Sequence, residues 1–185
     1  MNGRRFAGIL AGALVFAAAA AGALALHRAA ADRRHGATGP ARWIWLTREI
    51  PREEPLRFAA WKDFRLERAP ETAARALLFA DREGTLDVNG TVVGRVSQKP
   101  GDALASFDLA PFLHAGENRV RVEAGSPSGA GGVLFFLRLP GGLEIATDAS
   151  WTVERLPAGG EPPRAASVWG KPPMHPWGYP AAPEP

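Results

Sequence analysis

The chain has 185 residues, of which 46% are hydrophobic and 22% charged, close to the averages for a globular protein. That length corresponds to one domain, or one domain with a tail, and the composition excludes a mainly disordered chain and a polytopic membrane protein. Cysteine is absent, which excludes disulfides, thiolate zinc sites and thiol nucleophiles. The formal charge of +3 is a local effect: residues 1–36 carry five arginines against one aspartate, and the remainder carries 17 basic against 18 acidic side chains. A body so balanced gives no sign of a basic face for nucleic acid.

Arg4 and Arg5 precede Phe6 to Leu26, 21 residues without a charge. As a helix this run would be about 31 Å long, the thickness of a bilayer core. Two readings stand for residues 1–27: an uncleaved membrane anchor, or a signal peptide cleaved near Ala29-Ala30-Ala31. The run exceeds the roughly 7–15 residues of a signal h-region, which favours the anchor. Its Ala and Gly content keeps cleavage open. Arginines flank both ends, so the positive-inside bias does not choose an orientation. Either reading exports the body: membrane-anchored at the cell envelope through residues 6–26, or periplasmic or extracellular if the leader is removed. Residues 28–41, charged and small with Gly and Pro, read as a linker.

From there the apolar residues come in short runs at regular spacing. Strands are predicted over 42–47, 57–66, 74–80, 84–88, 91–96, 104–108, 118–124, 132–139, 143–147 and 150–154. Several alternate strictly. Val120 and Val122 point one way and Arg119 and Arg121 the other, and Phe58, Ala60, Phe64 and Leu66 share a face on which Lys62 is the exception. Glu71 to Leu78 is the best helix candidate by propensity, but Pro70 precedes it and Phe79-Ala80-Asp81 follows, so it is read as strand. Asn89-Gly90 lies between two strands, and both residues tolerate positive φ, which favours a two-residue type I′ hairpin. Pro140-Gly141-Gly142 marks a second hairpin-like turn. Ten short strands without crossover helices make the class all-β, a two-sheet β-sandwich of jelly-roll type over 42–156, preceded by an N-terminal hydrophobic helix. Residues 157–185, rich in Pro, Gly and Ala, read as a surface strap and tail.

The order of signals matches a known pattern. It runs from RWIWLT through ALLFADREGTLDVNGTVVG and SFDLAPFLHAGENRVRVEA to GVLFFLRLPGGLEIATDASWTV, and closes on Pro176-Trp177-Gly178. Over residues 42–178 the chain resembles the galactose-binding-domain-like sandwich that serves as a sugar-binding module in β-galactosidase-type and α-L-rhamnosidase-type glycoside hydrolases. The most specific piece is Ala80-Asp81, Leu86 to Gly90 and Val93-Gly94, then Phe107-Asp108, Leu113, Gly116 and Asn118. The resemblance implies a carbohydrate or glycan ligand. It also admits a structural calcium held by Asp81, Asp87 or Asp108, although no EF-type ligand ladder is present. No other cofactor or metal is implied. No catalytic barrel follows the sandwich, so the chain is read as a non-enzyme.

Candidate ligand contacts follow from side-chain chemistry. Six tryptophans are many for this length, and sugar rings pack on flat aromatic faces. Trp43, Trp61 and Trp151 are expected to fill the core. Trp169 and Trp177 lie in the Pro-rich tail beside His175 and are the candidates for a ligand lip. Asp81 at a strand end and Asn89 in the hairpin turn complete the candidate set, each with a competing structural role in turn hydrogen bonding. Two functions remain open: glycan recognition by sandwich-edge loops, or a structural or protein-interaction module of a cell-envelope complex. Exposed tryptophan rings beside polar side chains favour the first, and a flat exposed apolar patch favours the second.

Overall fold

The computed structural model describes residues 37–49, 54–157, 159 and 161–183. The expected membrane or signal helix and most of the linker lie outside the described residues. The chain divides into Met1–Ala37 and Thr38–Pro185, and the second unit is nearly all β. Its strands are β1 (Trp43–Trp45), β2 (Leu56–Leu66), β3 (Arg75–Ala80), β4 (Glu83–Val88), β5 (Thr91–Val96), β6 (Ala105–Asp108), β7 (Gly116–Ser126), β8 (Val133–Arg138), β9 (Glu144–Ala146), β10 (Thr152–Leu156), β11 (Arg164–Ala165) and β12 (Ser167–Gly170). One 3-10 turn, Ala110–Phe112, separates β6 from β7. Among the described residues no helix is long and apolar enough to cross a membrane.

The strands form two antiparallel sheets. The first runs β12-β1-β8-β3-β6, with β9 also on β8, and the second runs β11-β10-β2-β7-β4-β5. The longest ladder joins β2 to β7, from Leu56 opposite Ser126 to Leu66 opposite Gly116. Alternation decides which side chains turn inward. Phe58, Ala60 and Phe64 of β2, Val120 and Val122 of β7 and Leu86 and Val88 of β4 meet Ala76 and Leu78 of β3 and Val133, Phe135 and Leu137 of β8 in one buried cluster. Trp45 reaches from the first sheet to Phe58 of the second at 4.7 Å between ring centroids. Lys62 breaks the apolar pattern of its face, and its amine escapes to the Ser150 hydroxyl at 2.7 Å.

All ten strands expected from the sequence are present, with bounds moved by up to two residues. Residues 71–78 are not helical, and β3 occupies Arg75–Ala80. The Asn89-Gly90 hairpin is in place, with both residues at positive φ, 52° and 86°. Two features differ. The segment read as a strap contributes β11 to the edge of one sheet and β12 to the edge of the other. The end of the linker is packed, not free: Thr38 and Ala41 are buried, and Gly39 lies so close to the Phe136 ring that a Cβ would stand 2.6 Å from it. The reason lies in the first sheet. Leu77, Phe79, Leu134 and Phe136 are buried although alternation turns them away from the shared core, and an apolar outer face needs a cover.

Candidate functional site

Four pieces of chain are tied together at one end of the sheets. The β3–β4 turn, Asp81-Arg82, is held on one side by the Asp81 amide donating to the Gly132 carbonyl at 2.9 Å, and on the other by the Arg82 amide donating to Gln98 at 2.7 Å. Gln98, itself buried, accepts the Ala80 amide on Oε1 at 3.0 Å and donates from Nε2 to the Ala103 carbonyl at 2.5 Å. Asp102 stiffens the 97–104 loop by accepting the Lys99 amide at 2.9 Å. The C-terminal segment joins through the Leu104 amide, which donates to the Ala181 carbonyl at 2.9 Å.

These loops border an open cleft of about 640 Å³ whose lining includes Arg82, Glu83, Ser97, Gln98, Lys99 and Asp102. That volume is in the range of small-ligand sites. Two cations, two carboxylates and a hydroxyl give a charge-balanced wall with donors and acceptors side by side, suited to a polyhydroxylated ligand, while the Gln98 amide is spent on bracing the loop. Glu83 and Pro127 continue the wall into a second depression of about 210 Å³ beside Arg57 and Gly125. Arg82 has φ of 78°, a left-handed conformation that costs energy for a residue with a Cβ and that clusters at functional sites.

Behind the cleft sits a buried pair. Asp81 is 5% exposed and Trp177 is 5% exposed, and Trp177 Nε1 donates to Asp81 Oδ2 at 2.8 Å. Trp177 stacks on Trp43 with centroids 4.6 Å apart, and Trp169 meets it edge-on at 6.4 Å. Asp81 Oδ1 has no hydrogen bond, the Arg82 Nε being 3.7 Å away. Burial raises the Asp81 pKa above the usual carboxylate value, against the Trp177 hydrogen bond and the Arg82 charge, which both lower it.

The five candidate residues therefore occupy different settings. Asp81, Trp169 and Trp177 come together, but as an internal cluster in which Trp177 presents its ring to Trp43 and Trp169, not to solvent. Asn89 is far along β4 in the hairpin turn. Its Nδ2 donates to Phe112 and Asn118, and its Oδ1 accepts the Arg119 amide at 2.8 Å, so the turn uses its polar atoms. His175 is exposed on the tail. Trp43 and Trp151 are buried as expected, whereas Trp61 is half-buried on the outer face of the second sheet, beneath the Arg119 guanidinium at 5.5 Å. The cleft residues Gln98, Lys99 and Asp102 were not among the expected contacts. The polar Gln98-to-Asp102 turn signals a loop, and nothing in its composition separates a ligand loop from an ordinary one.

Asp87 and Asp108, singled out in the sequence, are engaged by backbone amides. Asp87 Oδ1 accepts the Gly90 amide at 3.0 Å, and Asp108 Oδ1 accepts the Ala74 and Ala110 amides. Glu83 to Asp87 alone covers roughly 13 Å of strand, so Asp81 and Asp87 do not face each other at the separation of a glycosidase pair. Among the described residues no three acidic or histidine side chains converge on a point.

No family model and no curated protein matches this sequence. Solved structures do match. The chain is similar to the GH78 rhamnosidase of Bacillus sp. GL1, at 23% identity and a TM-score of 0.67, over 80% of this chain and 20% of that one. It is similar to the Streptomyces avermitilis α-L-rhamnosidase, solved with L-rhamnose, at 23% identity and a TM-score of 0.62, over 78% of this chain and 16% of that one. It is also similar to the lectin of Pleurotus ostreatus, solved with GalNAc, at 24% identity and a TM-score of 0.59, over 78% of this chain and 46% of that one. The chain thus spans less than half the length of each of these proteins. The rhamnosidase likeness expected from the sequence is present, and at these identities it defines the fold.

Proposed function

We propose that this chain is a non-catalytic carbohydrate-binding module with a jelly-roll, galactose-binding-like sandwich, and that the cleft beside Arg82 and Lys99 takes the glycan. The observation that carries this reading is the cleft itself: about 640 Å³, charge-balanced and rich in donors and acceptors, at an end of a fold that a GalNAc-bound lectin also uses. Neutral sugars are recognised by such mixed walls, each hydroxyl both giving and accepting a hydrogen bond. Residues 6–26 would hold the module at the cell envelope as a membrane anchor, or deliver it to the periplasm or the exterior if cleaved as an export signal.

A protein-docking role would call for a broad apolar surface. The exposed large hydrophobic side chains among the described residues are Val92 and Leu143, one on the β5 edge and the other beside β9, and they favour no such patch. A glycan array probed with the full-length chain tests the sugar reading. Binding is expected, and Arg82→Ala and Lys99→Ala should each weaken it roughly tenfold, the loss of one charge-assisted hydrogen bond. If the array stays blank with the parent chain, the reading is wrong. If both variants bind like the parent, the cleft is the wrong site.

A further inference from the structure

The Trp177 ring lies in a pocket built by the rest of the chain. Trp43, fully buried, forms one wall, and Trp177 stacks on it with planes 27° apart. Trp169 forms another. Gly132 opens the space between them, since a Cβ there would stand 2.9 Å from ring atoms of both Trp43 and Trp177. Asp81 supplies the acceptor for the indole N–H. A pyranose makes the same two contacts, laying an apolar face on an indole and giving a hydroxyl hydrogen to a carboxylate.

Three buried side-chain polar atoms in this cluster have no hydrogen-bond partner: Asp81 Oδ1, Trp43 Nε1 and Trp169 Nε1. They are the only such atoms among the described residues. Buried polar groups in proteins are as a rule paired. One acceptor, 3.7 Å from the Arg82 Nε, and two indole donors of the same tryptophan cluster match the needs of a ligand carrying several hydroxyls, and an indole with its single N–H answers only the other oxygen of Asp81. Trp177 itself sits on a small turn, closed by the Gly178 amide donating to Met174 at 2.7 Å, in a tail whose neighbouring residue His175 is exposed.

We propose that the pocket bounded by Trp43, Asp81, Gly132 and Trp169 is a second ligand site, for a ring with one apolar face and hydroxyls on its edge, and that Trp177 is its built-in occupant. Ligand and tail then compete for the same wall and the same carboxylate. The apparent affinity of the pocket is its intrinsic affinity multiplied by the fraction of molecules in which Trp177 has vacated it. This site rests on the sugar-binding reading and adds a control to it, because the C-terminal turn must leave before the ligand enters.

The test uses full-length chain, labelled so that indole N–H and backbone amide resonances are resolved, titrated with L-rhamnose and with N-acetylgalactosamine. In Trp177→Ala at least one of the two sugars should shift the Trp43 and Trp169 indole signals, with half-saturation roughly tenfold lower than for the parent. Trp177→Phe keeps a ring on Trp43 but loses the N–H to Asp81. It should show a smaller gain in the same direction, and it decides the matter if the alanine variant does not fold. If sugar shifts the Lys99 and Asp102 amides but leaves the Trp43 and Trp169 indoles unmoved in both variants, the second site is refuted and the cleft reading stands. If sugar shifts none of these signals in parent or variant, both are refuted.

Discussion

The outer faces of the two sheets are built on opposite plans. In β8 the first five of six residues are buried, and in β3 the last five, so the first sheet is apolar on both sides. The outer face of the second sheet carries Arg57, Asp63, Arg65, Glu117, Arg119, Arg121 and Glu123, linked by ion pairs such as Arg65–Glu117 and Arg121–Glu123. The difference teaches what the chain ends are for. The second sheet is complete when it faces water. The first is complete only when residues 38–41 and Trp177 close over it, so these chain segments belong to the fold.

The largest test of that comparison is a truncation on the covered face. Phe79→Ala should cost about 3–5 kcal/mol in urea unfolding and Leu134→Ala about 2–5 kcal/mol, as much as Phe135→Ala in the shared core. A loss below roughly 1 kcal/mol at Phe79 would be ordinary for a surface position and would remove the case for a second apolar layer.

Next comes the tail. Trp177→Phe leaves Asp81 Oδ2 without its donor, and an unsatisfied buried acceptor costs about 1–3 kcal/mol. The cost should shrink in acid. Asp81 has a raised pKa because burial penalises its charge, so the folded state holds its proton more tightly than the unfolded chain. The penalty is absent below the ordinary value of 3.8 and grows as pH rises through the folded pKa. Asp81→Asn keeps an acceptor for Trp177 and removes the charge. Its stability relative to the parent should therefore rise between acid and neutral pH, and a flat difference across that range would mean the carboxylate is not desolvated.

The same two plans explain what the sequence discloses. Strict alternation in Arg119 to Val122 shows a strand with one wet face, and positive-φ residues at Asn89-Gly90 show its turn. Continuous runs such as Leu77 to Ala80 and Val133 to Leu137 also show strands, but a run cannot say which segment covers the second face. The two-residue β11 and four-residue β12 have no pattern of their own and exist by pairing. Asp81 and Trp177 each stand out as chemistry, yet they are 96 positions apart. Only the fold shows that they meet, and that meeting hides both from solvent.

The smallest effect belongs to the wet face, and its sign is opposite to that of Asp81. Arg119 donates to both oxygens of Asp63 at 2.6 and 2.8 Å, which holds the Asp63 carboxyl below its ordinary 3.8. A lowered pKa gives stability that is present above that ordinary value and lost as pH falls through the folded one. Both side chains are about half exposed, 53% for Asp63 and 51% for Arg119, so solvent and salt screen the pair and its contribution stays below about 1 kcal/mol. Asp63→Asn should therefore lose a few tenths of a kcal/mol at neutral pH and nothing in strong acid, with the difference fading in high salt. Arg119→Ala adds a second reading, because it uncovers Trp61 and should shift that indole's fluorescence to longer wavelength. A loss at Asp63 as large as at Phe79 would mean that the second sheet, too, is covered on its outer face.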